Sequence, residues 1–314
     1  MMAALASLWA EAWLPAFILA AGLTLGALVT LALGHLMRES WLEPLHPALA
    51  AIARAAPILL PLGLPLLLAG PVLYPWFAAP VPDGQAWYRA DTFMLRSLGV
   101  LLVWIWLGRR LTGAPVSRRM AGVAMVLLVL TGAFAMEDWA LSRDRGWTGS
   151  LQGLALVVEQ TGAALAVAAL LALRHGLPGE AARTGLERAL LAFGLLTLWL
   201  WFVQYIVVYA ADLPHEAAWY LRRSDGVWGW IKVGVALPAL LGAIALALVP
   251  QWRRWRLAAV CVLLLVEHLA HLGWIIRPDA VLSGGATPPL ADALVGGLMV
   301  VAVVVAWRRA ARTA

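Results

Sequence analysis

Residues Leu257 to Ile276 read LAAVCVLLLVEHLAHLGWII. At 1.5 Å per residue such a run forms a helix about 30 Å long, which matches the hydrocarbon thickness of a bilayer. The run is continuously apolar and rich in Leu, Ala and Val. It lacks the alternation of polar and apolar positions, in pieces of about ten residues, that marks the strands of an outer-membrane barrel. It therefore reads as a membrane-spanning helix, and its Glu267, His268 and His271 become groups that lipid would not tolerate without a reason.

Working outward, eight further stretches have the same character, at 15–33, 57–77, 92–107, 120–140, 150–173, 189–210, 228–249 and 290–307. Hydrophobic residues make up 63% of the chain and charged residues 13%, too apolar a balance for a water-facing surface. The expected fold is an all-α polytopic transmembrane bundle of nine spans in a single domain, 1–314, with short connecting loops and no linker. Nothing resembling a cleavable leader precedes the first span, which reads as a retained helix. Pro57, Pro61, Pro65, Pro71 and Pro75 predict a kinked second span, since each proline removes a backbone donor.

Loops after odd-numbered spans collect most of the arginines, among them Arg109, Arg110, Arg118, Arg119, Arg253, Arg254 and Arg256. Loops after even-numbered spans hold only Arg89, Arg143, Arg145, Arg222, Arg223 and Arg277. The positive-inside rule then places the N-terminus outside and the C-terminus in the cytoplasm. Trp76, Trp87, Trp139, Trp147, Trp219, Trp228, Trp230 and Trp274 lie near the predicted outer ends and read as an interfacial aromatic belt. The sequence pI near 10.2 reflects scattered loop arginines rather than a basic patch, which argues against nucleic acid as a partner.

Ionisable groups inside the spans are Arg96, Glu137, Asp138, Glu159, Lys232, Glu267, His268 and His271, with Asp292 at the start of the ninth. With this topology nearly all lie in the outer half of the bilayer, although they come from six helices. One polar cavity opening outward is the economical explanation of that convergence; the alternative is register-fixing ion pairs of Arg96 and Lys232 with Glu137, Asp138 or Glu267. Glu267 and His271 are four apart and share a helix face, from which His268 turns away by about 100°.

The single cysteine, Cys261, excludes a disulfide framework and Cys-ligated clusters, and no C-x-x-C-H motif offers covalent haem attachment. His35 lies at the opposite membrane surface from His268 and His271, so no pair of facing imidazoles is expected for haem. No second helix is evident to complete a metal site with the two histidines of span eight, and no metal is expected.

Two motifs carry a family resemblance. Met136-Glu137-Asp138-Trp139-Ala140-Leu141-Ser142, followed by Trp147, resembles the DW-x-x-S-L-x-P-x-W segment of the F-type membrane subunit of alternative complex III, within the NrfD/polysulfide-reductase membrane-subunit family. Phe202-Val203-Gln204-Tyr205-Ile206-Val207-Val208-Tyr209, then Asp212-Leu213-Pro214-His215-Glu216, resembles the F-S-Q-Y-x-I-x-Y/W-x-x-N-L-P-E-E run of that subunit. Leu73-Tyr74-Pro75-Trp76 and Arg96 fall where it has a Tyr-Pro-Trp and a span-three arginine.

The resemblance covers roughly residues 34 to 278. The chain departs from it at Val203, Asp212, His215 and His271, where serine, asparagine, glutamate and aspartate are expected.

The resemblance implies a membrane subunit of a quinol:electron acceptor oxidoreductase in a bacterial cytoplasmic membrane. Its implied partners are a homologous quinol-binding membrane subunit, periplasmic multihaem cytochrome c and iron–sulfur subunits, and a terminal oxidase. The chain itself carries no redox ligands and is expected to contribute helix packing, a proton path and a pocket for quinol, quinone or lipid. Arg96, Glu137, Asp138, Glu159, Gln204, Tyr205, Lys232, Glu267 and His271 are the candidates for that path or pocket. The rival reading is a secondary transporter with a buried polar substrate site, which the buried charges and broken second span also suit, although no internal repeat is evident.

Overall fold

The computed structural model describes residues 2–37, 40–77, 88–113, 115–144, 147, 151–174, 176, 179–249, 254–280 and 289–312. The described residues form helices and turns without strands. They run α1 (Met2–Met37), α2 (His46–Arg54), α3 (Leu59–Leu68), α4 (Gly70–Leu73), α5 (Ala90–Leu111), α6 (Arg118–Trp139) and α7 (Leu151–Leu173). Then follow α8 (Glu180–Ala211), α9 (Pro214–Ser224), α10 (Gly226–Trp230), α11 (Leu237–Leu248), α12 (Arg254–Ile276) and α13 (Pro289–Arg312).

Nine helical stretches among these residues are long and apolar enough to cross a membrane, as the sequence predicts. The chain is an all-α, multi-pass membrane protein.

Hydrogen bonds between the ends of spans establish the up-and-down threading. At the arginine-rich end, His35 Nε2 meets the Leu111 carbonyl at 2.9 Å, Arg54 binds the Thr112 carbonyl at 2.8 Å, and Arg256 pairs with Glu187. At the opposite end, the Tyr74 hydroxyl donates to the Trp139 carbonyl at 3.0 Å and the Trp76 indole to the Ser142 carbonyl at 3.0 Å. Each end thus gathers the termini of consecutive spans, and loops alternate between the two faces.

α1 and α7 form the centre of the bundle. Of the most apolar window of each, 78% is buried, against 33% for α5, α6 and α8 and 17% for α13. Small residues make this possible, because helices in lipid associate by close packing rather than by hydrophobic exclusion from water. A methyl group on Gly26 of α1 would collide with the Gln160 carbonyl of α7 and would lie 2.8 Å from Ala164 Cβ. Ala155, Ala163, Ala164, Ala166, Ala168 and Ala169 complete the small surface of α7.

Span two is broken where its prolines require. A 3₁₀ turn, Ala56–Ile58, separates α2 from α3, and the chain is extended at Tyr74 before Pro75. The apolar stretch begins earlier than the predicted residue 57, at Trp41. The difference is α2, which packs against α1, α5, α7 and α13 and buries Leu49 to Ala53, although Arg54 ends it at the arginine-rich face.

Span seven contains a second irregularity. Residues Ile231–Ala236 form a π-helical segment between α10 and α11. Pro238 explains it: without an N–H it cannot bond the Gly234 carbonyl, and its ring crowds that carbonyl, so the turn ahead of it widens.

The aromatic-belt expectation fails for most of its members. Trp76, Trp139, Trp147, Trp219 and Trp274 are buried within the end of the bundle opposite the arginine-rich one, and of the described members only Trp230 is strongly exposed. Trp228 is partly buried, and Trp87 lies outside the described residues. Partners hold the buried indoles inside: Trp76, Trp139 and Trp274 through their N–H groups, Trp139 to Ser97 Oγ at 2.9 Å and Trp274 to the Arg223 carbonyl at 2.9 Å, and Trp147 and Trp219 through their faces, stacked at 4.1 Å.

Candidate functional site

The candidate residues of the sequence separate into distinct groups. Arg96 of α5 grips Asp138 of α6, Nε to Oδ2 at 2.7 Å and NH2 to Oδ1 at 3.1 Å, and also donates to Thr92 Oγ1 at 3.1 Å. This pair lines a small recess of about 190 Å³ with Ser97, Gly99, Thr131 and Phe134. Glu137, one residue before Asp138, accepts the Gly153 N–H at 3.1 Å and so caps the first turn of α7. Gln204 is buried with its carbonyl oxygen unpartnered and does not line the main cavity. Tyr205 is half exposed, with its ring near those of Tyr209 and Tyr220.

The remaining candidates converge on Glu159. Small residues around it let α8 and α12 approach α7 closely, which removes the carboxylate from lipid. Trp201 of α8 donates its indole N–H to Oε1 at 2.6 Å. His271 of α12 places Nδ1 at 2.8 Å from both carboxylate oxygens, and His268 Nδ1 lies 3.4 Å from Oε2. An ionised carboxylate can only accept, so the His271 Nδ1 carries the proton and Nε2 is the ring's acceptor.

His268 was expected to turn away from this face. It does turn from Glu267, but residues three apart share a side of a helix, and Glu159 sits where both imidazoles reach it.

Lys232 comes from the π-helical segment. Its ammonium lies 2.8 Å from the centroid of the Trp201 ring and 4.9 Å from that of Trp274. The His271 ring, 4.2 Å from that of Trp201 and 5.4 Å from that of Trp274, completes an aromatic stack around the cation.

Glu267, next to His268, is buried with Oε1 unpartnered. One ligand-type atom from each of Glu159, Glu267 and His271 falls within 4.8 Å of the others. The expectation that no second helix joins the span-eight histidines is therefore corrected: α7 supplies Glu159.

His271, Trp201 and Lys232 form one wall of a cavity of about 910 Å³ bounded by α7, α8, α9, α10, the π segment and α12. Spans six and seven pack against each other mainly through α11, in the half remote from the site. In the other half they part, and Phe202, Tyr205, Trp230 and Val233, all exposed, stand at the opening between them. The opening therefore faces the hydrocarbon sideways. Gln152 of α7 and Arg223 of α9 add polar groups to an otherwise aromatic and aliphatic lining.

Arg223 links this cavity to a network that the sequence reading missed. It is fully buried over the Trp219 ring, donates to the Ile275 carbonyl at 2.8 Å, and pairs with Asp279. Burial pulls its guanidinium down to about 10, with Asp279 opposing the shift, so it remains charged at neutral pH. The Tyr220 hydroxyl nearby is pushed above its ordinary value by burial and stays protonated.

Arg143 holds both oxygens of Glu11 at 2.7 and 2.8 Å and donates to the carbonyls of Leu73, Ile276 and Asp279. Arg277 reaches Asp292 at 2.5 Å. These arginines read as loop charges in the sequence because they follow the apolar runs. The available signal was that each sits on the face expected to be poor in arginine, with acidic residues of other loops nearby in the topology.

Fold and site together define a multi-pass helical membrane protein with a membrane-open cavity ending in a His–Glu pair. No protein-family model matches the sequence, and no curated protein matches it.

Proposed function

We propose that this chain is a non-redox membrane subunit of a bacterial respiratory quinol:electron acceptor oxidoreductase, and that the cavity between spans six and seven receives a quinol headgroup. The observation that carries the reading is the His271–Glu159 pair at the end of an aromatic cavity open to lipid. A quinol is a flat ring on an isoprenoid tail, so it needs lateral entry, aromatic walls and an acceptor for its hydroxyl proton. Phe202, Tyr205 and Trp230 supply the entry, Trp201 and Trp274 the walls, and His271 Nε2 the acceptor.

The chemistry divides between chains. His271 takes the hydroxyl proton at Nε2; Glu159, bonded to Nδ1, stabilises the imidazolium that results. Lys232, within electrostatic reach of Glu159 and Glu267, moderates the negative charge of the pair. Electrons pass to haem or iron–sulfur partners, consistent with the resemblance to the F-type subunit of alternative complex III, which also motivates the cytoplasmic-membrane location and a homologous quinol-binding neighbour.

Photolabelling with an azido-quinone in native membranes tests the reading. Label is expected on peptides containing Phe202 to Tyr205 or Gly226 to Leu237, with loss of labelling in His271→Leu. Label confined to other chains, or purification without any haem- or iron–sulfur-bearing partner, counts against it. Proton-coupled uptake of a small ion by proteoliposomes of this chain alone supports the transporter instead.

A further inference from the structure

We infer that Glu159, Glu267 and His271 form a binding site for a divalent transition-metal ion of the zinc class, inside the membrane and reached through the cavity. Glu159 from α7 and Glu267 and His271 from α12 present ligand-type atoms within 4.8 Å of one another, and all three are buried. Two carboxylates and an imidazole are the N/O donor set that zinc and its neighbours take; three protein ligands leave one position open, here toward the cavity that His271 lines.

A further observation points to a cation: Glu267 Oε1 is buried and has no hydrogen-bond partner. A buried carboxylate oxygen without a donor is costly, and a metal ion removes that cost.

The nearest ammonium does not answer it. Lys232 stands over the Trp201 ring and forms no ion pair with either carboxylate among the described residues. A doubly charged ion offsets both carboxylates and replaces the proton that His271 and Glu159 now share. The site is independent of the quinol reading; if both hold, the ion takes the place of the Nδ1 proton that couples His271 to Glu159 and inhibits the subunit from within the bilayer.

The test is binding of Zn²⁺ alone to the full chain in detergent micelles, by equilibrium dialysis and by zinc-edge X-ray absorption. One ion per chain is expected, with a nitrogen and oxygen shell. Glu267→Gln is expected to weaken binding by at least about tenfold, and Glu137→Gln to leave it unchanged. If His271→Asn fails to fold, the absorption spectrum of the wild-type chain still decides. A sulfur ligand there, which would come from Cys261, overturns the proposal, as do sub-stoichiometric binding and equal affinity of Glu267→Gln and wild type. Zinc binding in a chain that takes no quinone label leaves this inference standing and removes only the quinol reading.

Discussion

Arg96 and Asp138 are locked as a two-point pair, with the carboxylate buried and the guanidinium at the edge of the bundle. Removing one partner leaves the other charge without its ion-pair counterpart in a largely apolar setting. Asp138→Asn and Arg96→Met are each expected to destabilise the protein by about 3 kcal/mol, while the double variant recovers most of the loss. Thermal unfolding in detergent measures it. Additive losses would show that the pair is not coupled.

Glu11 and Arg143 form the same kind of pair, wholly buried, between α1 and the segment after α6. Because Arg143 also holds three carbonyls, Arg143→Met is expected to cost more than Glu11→Gln, by roughly 1–3 kcal/mol per orphaned group. Denaturation of the two variants side by side checks the order.

Trp201 fixes Glu159 by one short hydrogen bond and supports Lys232 with its ring. Trp201→Phe keeps an aromatic face, though a smaller one, and deletes the donor, a change of about 1.5–3 kcal/mol for a charged acceptor. Quinone labelling is expected to fall by about tenfold with the fold intact by circular dichroism. Unchanged labelling would separate Glu159 from ligand binding.

Pro238→Ala restores the missing donor and allows the π segment to relax to an α-helix. One residue of register is then released, and Lys232 rotates off Trp201 by about 100°. Tryptophan emission, which a cation close to the ring perturbs, is expected to shift in Pro238→Ala and in Lys232→Met alike. A shift in Lys232→Met alone would show that the segment keeps its shape without proline.

At the centre of the bundle, Gly26→Val is expected to abolish accumulation of folded protein, since it opposes the backbone of α7. Gly99→Ala meets nothing within 4 Å and is expected to be silent. Detergent-extracted yield on size-exclusion chromatography compares them.

How much of this was legible in the sequence depends on the range of the signal. Leu257 to Ile276 declared a spanning helix because hydrocarbon imposes its length and polarity on any chain that crosses it, residue by residue. The broken second span was equally plain from its prolines. Glu159 and His271 were recognisable as groups needing a reason.

Their contact was not legible, since they lie 112 residues apart and meet only when α7 and α12 pack side by side. Nor was the separation of Arg96 and Asp138 from that contact, because depth in the bilayer says nothing about position around the bundle. The buried tryptophans make the same point: Trp139 and Trp274 sit at the depth of an aromatic belt, but Ser97 and the Arg223 carbonyl hold them inside.

The sequence by itself determined nine stretches long and apolar enough to cross a membrane, found as helices among the described residues, and that Glu159, Lys232, Glu267 and His271 lie within them. Tertiary structure alone decided that Glu159, Glu267 and His271 cluster behind a cavity that His271 and Lys232 line, while Arg96 and Asp138 pair elsewhere. The physical reason is that insertion into lipid is a local property of each helix, whereas the pairing of buried charges follows from which helix faces meet, and the small residues of α1 and α7 set that at close range.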